Sequence, residues 1–358
     1  MLSYSNWSVL TVNFLVVLYL ALGGVTLCAI LHLVGAQWRY EIRAIASSLF
    51  ALFPLAFVLL VLLLVNGDLT FPWLHATGEQ AHYQLSGWRE SMLSTGTPGF
   101  NEHAHHMPGW HNYTFLVARE ILGLFAVMAI HWVFVRRQAV SERSAEDAAR
   151  FHSIACWVPY AYVLYGTMVA WDFEMTMVPT WESAIYGMQH FVSNFGMFLA
   201  FLVIWIFALN SSNKLLRPVE PYVYNYIAQF MLAFTILWTY TFFAQYLTIW
   251  YGNLAFERNR MVAMQTGDYT FIFWAMFVLK FMIPFSALVM TYTRHHVGAI
   301  AVVAVCIIIG TLFERYVWIA GVKDAGTYPI VAAIVVSGVV ATIGFFLVRM
   351  RMQRIQLI

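Results

Sequence analysis

Between Val297 and Ile319 the chain reads VGAIAVVAVCIIIGTLFERYVWI: seventeen uncharged residues, then Glu314 and Arg315, then four more uncharged ones. As a helix, a stretch of this length rises ~35 Å, enough to cross the ~30 Å hydrocarbon layer of a bilayer. Backbone groups have no water to bond in lipid, so such a stretch must be helical. A lone charge at that depth costs at least a few kcal/mol. Glu314 and Arg315 therefore need partners, or a task.

Working outward, eight more apolar stretches accompany it, at 8–35, 44–66, 112–135, 150–171, 184–209, 222–250, 267–293 and 328–350. Hydrophobic residues make up 61% of the chain and charged ones only 10%, a balance far from that of soluble globular domains. The first stretch is too long for a cleaved secretory signal and lacks a basic leader and a small-residue cleavage site. The expectation is an all-α polytopic membrane protein of about nine transmembrane helices.

Lys and Arg set the orientation. With the N-terminus outside, twelve of the nineteen basic residues fall on the inner side: Arg39, Arg43, Arg136, Arg137, Arg143, Arg150, Lys214, Arg217, Arg294, Arg349, Arg351 and Arg354. Arg89, Arg258, Arg260 and Lys323 fall outside, and Arg119, Lys280 and Arg315 lie within spans. This positive-inside bias predicts a periplasmic N-terminus and a cytoplasmic C-terminus in a bacterial inner membrane. The net charge of +2 is accounted for by topology and points to no nucleic-acid partner. Cys28, Cys156 and Cys306 all lie in apolar spans without metal or haem-attachment spacing, and are expected to be buried apolar side chains.

A long outer loop, 66–111, holds the tract NEHAHHMPGWH at 101–111. Its His103, His105 and His106 are weak metal candidates, because their spacing matches no defined zinc or copper motif. An interfacial loop with imidazoles and indoles at head-group level is the simpler reading.

Charged and hydrogen-bonding residues gather at the outer helix ends. Arg119 and Glu120 lie about two turns into the third span, Asp172 and Glu174 end the fourth, and His190 opens the fifth. Tyr246 closes the sixth, and Glu314 with Arg315 closes the eighth. Lys280 sits in mid-span, four residues before Pro284, where snorkelling to either interface is difficult. Neighbours in a helix do not face each other, so Arg119, Glu120, Glu314 and Arg315 are each expected to find partners on other helices. Quinol oxidation needs a proton acceptor near the ring oxygens. Proton transfer needs carboxylates, imidazoles and hydroxyls bridged in a chain. In the proton-path or quinol reading, Lys280 and Glu120 extend the outer group inward, and His131 and His32 form an inner half-path. Ion pairs that simply lock the bundle are the alternative. A b-type haem between His32, His131 and His152 and a secondary transporter are two further readings, the last disfavoured by the lack of an inverted repeat.

Four stretches carry a family resemblance. WDFEMTMVPTWESAIYG at 171–187 resembles the D-x-x-M-S-L-D-P-x-W-x-S-T-I-F-G signature of the ActF-type membrane subunit of alternative complex III. FAQYLTIWYGN at 243–253 is similar to that family's F-x-Q-Y-L-x-x-W-Y-x-N, and GAQWRYEIR at 35–43 resembles its first cytoplasmic loop. KFMIPF at 280–285 resembles its I-P-F helix. The chain departs from the pattern at Val178, where the family has Asp, and at LAFERNR (254–260) in place of P-E-E-T. It departs again at 293–296, TRHH, in place of K-R-N.

The resemblance implies two four-helix bundles plus one accessory helix, as in the NrfD/PsrC-related superfamily. The first bundle would span 1–171 and include the His-rich loop, the second 172–320, and the accessory helix with a basic tail 321–358. It implies an integral subunit of a quinol:cytochrome c (or other periplasmic acceptor) oxidoreductase, without covalently bound cofactors of its own. Quinone or quinol is the implied small-molecule ligand. Haem and iron–sulfur centres are expected only in partners: an iron–sulfur subunit and multihaem cytochrome c subunits. A sister quinol-binding membrane subunit and membrane lipids complete the expected surroundings. A purely structural anchor for peripheral redox subunits is the competing role.

Overall fold

The computed structural model describes residues 3–76, 110–178, 181–321 and 328–357. Among them there is no strand, and nine helical spans are long and apolar enough to cross a membrane. They run Tyr4–Leu33, Arg39–Val65, Tyr113–Gln138, Ala145–Met177, Tyr186–Ser211, Pro221–Gly252, Gly267–Val289, Val297–Ala320 and Ile330–Arg354. The protein is an all-α, multi-pass membrane protein. His103, His105 and His106 lie outside the described residues.

The helices used below are α1 (Tyr4–Leu33), α2 (Arg39–Ser48), α3 (Phe53–Val65), α4 (Tyr113–Gln138), α5 (Ala145–Phe173), α6 (Tyr186–Ser211) and α7 (Pro221–Gly252). They continue as α8 (Ala255–Gln265), α9 (Thr270–Phe277), α10 (Ile283–Val289), α11 (Val297–Ala320) and α12 (Ile330–Arg354). Side-chain oxygens open three of them: Ser3 caps α1, Asn112 caps α4 and Ser144 caps α5.

Packing follows from which helices are apolar all round. The α1 span is 89% buried and packs on α2, α3, α5, α6, α11 and α12, while α12 is only 11% buried. A helix apolar on every face belongs in the interior, and α1 holds that place. Around it, α3, α4 and α5 form one group, and α6, α7, α9, α10 and α11 form another. The α12 helix leans on α1 and α2, beside the first group. Gly24 lets α1 cross α2 closely, since a Cβ there would collide with the Ala46 carbonyl.

One end of the bundle gathers the start of α1 and the end of α11, joined where Tyr4 donates to the Ile319 carbonyl at 2.9 Å. We call this the amino-terminal end. The opposite, carboxy-terminal end holds the start of α2, the α4–α5 turn and the chain's tail, with Leu216 N bonded to the Leu357 carbonyl.

Three expectations are corrected. Arg39 and Arg43 sit in helix α2 and not in a loop, because Ile42, Ile45 and Ala46 give that segment a buried apolar face. The segment 251–268, short and polar and so expected as an outer loop, contains α8. Cys156 is exposed on the outer face of α5, whereas Cys28 is buried.

Candidate functional site

Asp172 and Glu174 are two residues apart at the end of α5. Two helical steps rotate a side chain by ~200°, so the two carboxylates point to opposite sides. That rotation organises the buried charge at the amino-terminal end into two clusters.

On the first side Asp172 meets α4. Arg119 donates Nε to Asp172 Oδ2 (2.7 Å) and Nη2 to Oδ1 (2.6 Å), a two-pronged pair. Trp110 adds its indole N–H to Oδ1 at 2.6 Å, and its ring lies 4.0 Å from the Arg119 guanidinium. Glu120 is wholly buried beside this pair. It accepts a hydrogen bond from the Tyr165 hydroxyl at 3.2 Å and lies against Asp172, and its Oε1 has no partner among the described residues.

Glu174, on the second side, meets α6 and α11. Its Oε2 receives the Tyr186 hydroxyl (2.5 Å), His190 Nδ1 (2.6 Å) and Arg315 Nη1 (2.6 Å). The other prong of Arg315, Nη2, reaches Glu314 Oε1 at 2.8 Å. Trp238 donates its indole N–H to the same Oε1 at 2.9 Å. Ser193 bonds Glu314 Oε2 at 2.5 Å, and Lys280 closes the row with an ion pair to that oxygen. The result is an alternating ladder, Lys280–Glu314–Arg315–Glu174, with His190 at its end. Glu174, His190, Glu314 and Arg315 have no exposed surface, and Lys280 is 4% exposed. Two cations face two anions, which is the condition under which buried charge is tolerated.

Local geometry explains how Lys280 gets there. Pro284 has no N–H for the carbonyl four residues back, which is that of Lys280 itself. The chain responds with a π-turn over Val278–Met282 in place of a broken helix. Gly310 on α11 opposes it, where a Cβ would sit 2.6 Å from Lys280 Cγ.

Beyond His190 the ladder continues in neutral groups. His190 Nε2 lies 2.7 Å from the Tyr19 hydroxyl, which is also 3.0 Å from the Gly166 carbonyl. Tyr19 can donate to either acceptor: turned to Nε2 it suits a His190 protonated on Nδ1, and turned to the carbonyl it leaves its own oxygen free to accept from Nε2. Further along, the Tyr162 hydroxyl, Asn194 Oδ1, Thr26 Oγ1 and His131 Nε2 are buried with no hydrogen-bond partner among the described residues. His131 is anchored by Nδ1 at 2.8 Å from the Val127 carbonyl, and its Nε2 faces the Leu22 carbonyl of α1 without closing a hydrogen bond.

The structure thus places most of the sequence candidates together, but in two groups rather than one. Lys280 pairs with Glu314 and not with Glu120, which belongs to the Asp172 side. Glu314 and Arg315 do pair with each other, against expectation, because the long arginine stem folds back along its own helix while its second prong reaches Glu174. Tyr246 is half-buried and makes no side-chain hydrogen bond among the described residues. Glu182, one of the sparse charges near the helix ends, is exposed. His32 packs on Phe151 (4.4 Å) and His152 (5.5 Å) near the carboxy-terminal end, apart from His131, which packs on Phe53.

Sequence reasoning missed Tyr19, Tyr186, Ser193 and Arg260. Tyr186 and Ser193 are four before and three after His190, so helical spacing alone puts them on its face. Arg260, on α8 outside the spans, is 1% exposed and carried no such signal. It donates to the carbonyls of Glu174 (2.7 Å), Met175 (3.0 Å) and Trp318 (3.2 Å), between the rings of Trp181 and Trp318. Burial lowers its pKa to about 10, so it remains a cation at neutral pH.

None of the ladder's carboxylate, imidazole or guanidinium groups is exposed. Among the described residues no three His, Cys, Asp or Glu side chains converge as a metal site. The sequence matches no protein-family model and no curated protein.

Proposed function

We propose that this chain is a proton-relaying membrane subunit of a quinol-oxidising respiratory assembly of the alternative complex III type. One observation carries the relay: a buried row of ionisable and hydroxyl groups, Lys280–Glu314–Arg315–Glu174–His190–Tyr19, runs through a bundle of membrane-spanning helices. Hydroxyl, imidazole and carboxylate groups in such a row pass protons by exchanging hydrogen bonds. The unpartnered atoms of Tyr162, Thr26, Asn194 and His131 extend the polar row toward the other end, where ordered water can complete it. The assembly rests on the sequence resemblance at 171–187, 243–253 and 280–285.

In this reading the N-terminus is periplasmic and the C-terminus cytoplasmic, which puts the ladder in the outer leaflet of a bacterial inner membrane. Quinol oxidation belongs to a sister membrane subunit, and electrons pass to iron–sulfur and multihaem cytochrome c subunits. This chain contributes no redox centre. A structural lock is the second reading, and the one-to-one matching of charges in the ladder favours it.

Native purification with mass spectrometry of the co-purifying subunits tests the assembly. Iron–sulfur and multihaem cytochrome c companions with quinol-dependent cytochrome reduction are expected, and a chain that purifies alone overturns the proposal. Within that complex Tyr19→Phe tests the relay. It keeps the ring contacts and removes the hydroxyl, and proton-coupled turnover should fall roughly a hundredfold with assembly intact. Unchanged turnover and proton uptake in Tyr19→Phe would leave only the lock.

A further inference from the structure

Far from the ladder, at the carboxy-terminal end, α1, α2 and the α4–α5 turn enclose a cavity of about 220 Å³. Its wall includes Arg39, Tyr40, Arg43, His32, Gln138 and Glu142. We propose that this cavity binds a phosphate oxyanion, supplied either by the head group of an anionic phospholipid or by free phosphate.

Charge is the first argument. Arg39 and Arg43 stand 4.5 and 4.7 Å from the centre of the same Tyr40 ring, so two guanidiniums converge on one side chain. Only one carboxylate, Glu142, answers them, through a single prong of Arg43 at 2.8 Å. Arg39 spends its prongs on the Tyr40 hydroxyl (2.8 Å) and the Ala36 carbonyl (3.4 Å). Arginine forks match phosphate oxygens in pairs, and here they exceed the negative charge present.

Unsatisfied polar atoms are the second. His32 Nε2 and Gln138 Oε1 are both buried in this wall without a partner among the described residues. His32 rests on Phe151 in a tilted ring contact at 4.4 Å, which orients its free nitrogen. A nitrogen that donates and an amide oxygen that accepts suit a phosphate ester carrying hydroxyls. Buried polar atoms in native proteins generally have partners, and a bound oxyanion with its hydration supplies them.

Size and setting complete the case. The cavity is below the ~300–1,000 Å³ of pockets that enclose drug-sized ligands, so it accommodates a head group and not a ring with its tail. It opens at the end of the bundle where Arg136 and Arg143 also lie, together with Arg137 and Arg150, which pair with Asp147 and Glu146. Basic pockets between spans at such an interface recognise lipid phosphates.

The test uses the full chain in nanodiscs of phosphatidylcholine, with and without phosphatidylglycerol, read by native mass spectrometry of retained lipid. A parallel titration uses inorganic phosphate followed by phosphorus NMR. Selective retention of phosphatidylglycerol is expected, reduced roughly fivefold in Arg39→Gln and in Arg43→Gln. Arg217→Gln, which removes an exposed charge away from the cavity, should retain it normally. His32→Phe keeps a ring against Phe151, and it tests the site should the arginine variants fold poorly. If inorganic phosphate binds in an Arg43-dependent way and the lipid does not, the site stands with a soluble ligand. If neither binds, or if Arg217→Gln weakens binding as much as Arg43→Gln, the proposal is overturned.

Discussion

On one side of α5, Asp172 meets a single guanidinium that stays close to the surface, with Arg119 at 8% exposure and its cation shared with the Trp110 ring. On the other, Glu174 shares Arg315 with Glu314, and the group has no exposed surface. Beside the first pair sits Glu120, a buried carboxyl with no cation of its own that lies against Asp172 and Tyr165; in the second group each carboxylate has a cation, although Glu174 Oε1 and Arg315 Nε find no partner among the described residues. Both clusters hang from the same turn of helix. The difference lies in how many cations the neighbouring helices supply. It teaches that rigidity and exchange can be built side by side: matched charges hold the helices, and an unmatched carboxyl beside them is held by little.

The largest effect should come from Arg315→Met. It strips two buried carboxylates of their shared cation, and losing one member of a buried ion pair costs about 3–5 kcal/mol. Thermal unfolding in detergent should drop by many degrees, and a wild-type melting curve would break the comparison. Asp172→Asn should cost less, near the lower end at about 3 kcal/mol, because Arg119 keeps the Trp110 carbonyl at 3.0 Å and its ring contacts. If Asp172→Asn proves worse than Arg315→Met, the first cluster is the true anchor. Glu120→Gln should change stability by less than about 1 kcal/mol, since it breaks no ion pair and Gln can still accept from Tyr165. A large loss there would mean that Glu120 is as firmly held as Glu174.

The smallest effect concerns pH. His111, between the spans, has its pKa lowered by burial, against weaker opposing contributions from the Thr176 carbonyl and Asp172. The unfolded chain therefore takes up a proton at His111 before the folded one does. Stability should fall as pH drops through and below the ordinary imidazole range near ~6.5. His111→Phe, which preserves the edge contact with Trp73 at 5.2 Å, should flatten that slope. An unchanged slope would assign the pH response to other groups.

The nine spans were legible because apolar length alone decides them, and their ends were found within a few residues. Asp172, Glu174, His190, Glu314 and Arg315 could be grouped by depth, since charge inside an apolar span is expensive enough to stand out. Depth carries no azimuth, however. Lys280 and Glu120, grouped by depth as one inward extension, therefore fall in different clusters, the π-turn and Gly310 aiming Lys280 at Glu314. Arg260 was invisible for another reason: its partners are backbone carbonyls, and carbonyls have no sequence signature.

The π-turn at Val278–Met282 also makes this span sensitive to length in a way that composition does not reveal. An α-helix advances ~100° per residue, so deleting one residue before Lys280 would swing the ammonium about a quarter-turn toward lipid or a different neighbour. A substitution at Leu279 changes a contact, but removing Leu279 re-indexes Lys280, with no other residue exchanged. In that span the position of a positive charge is encoded by counting.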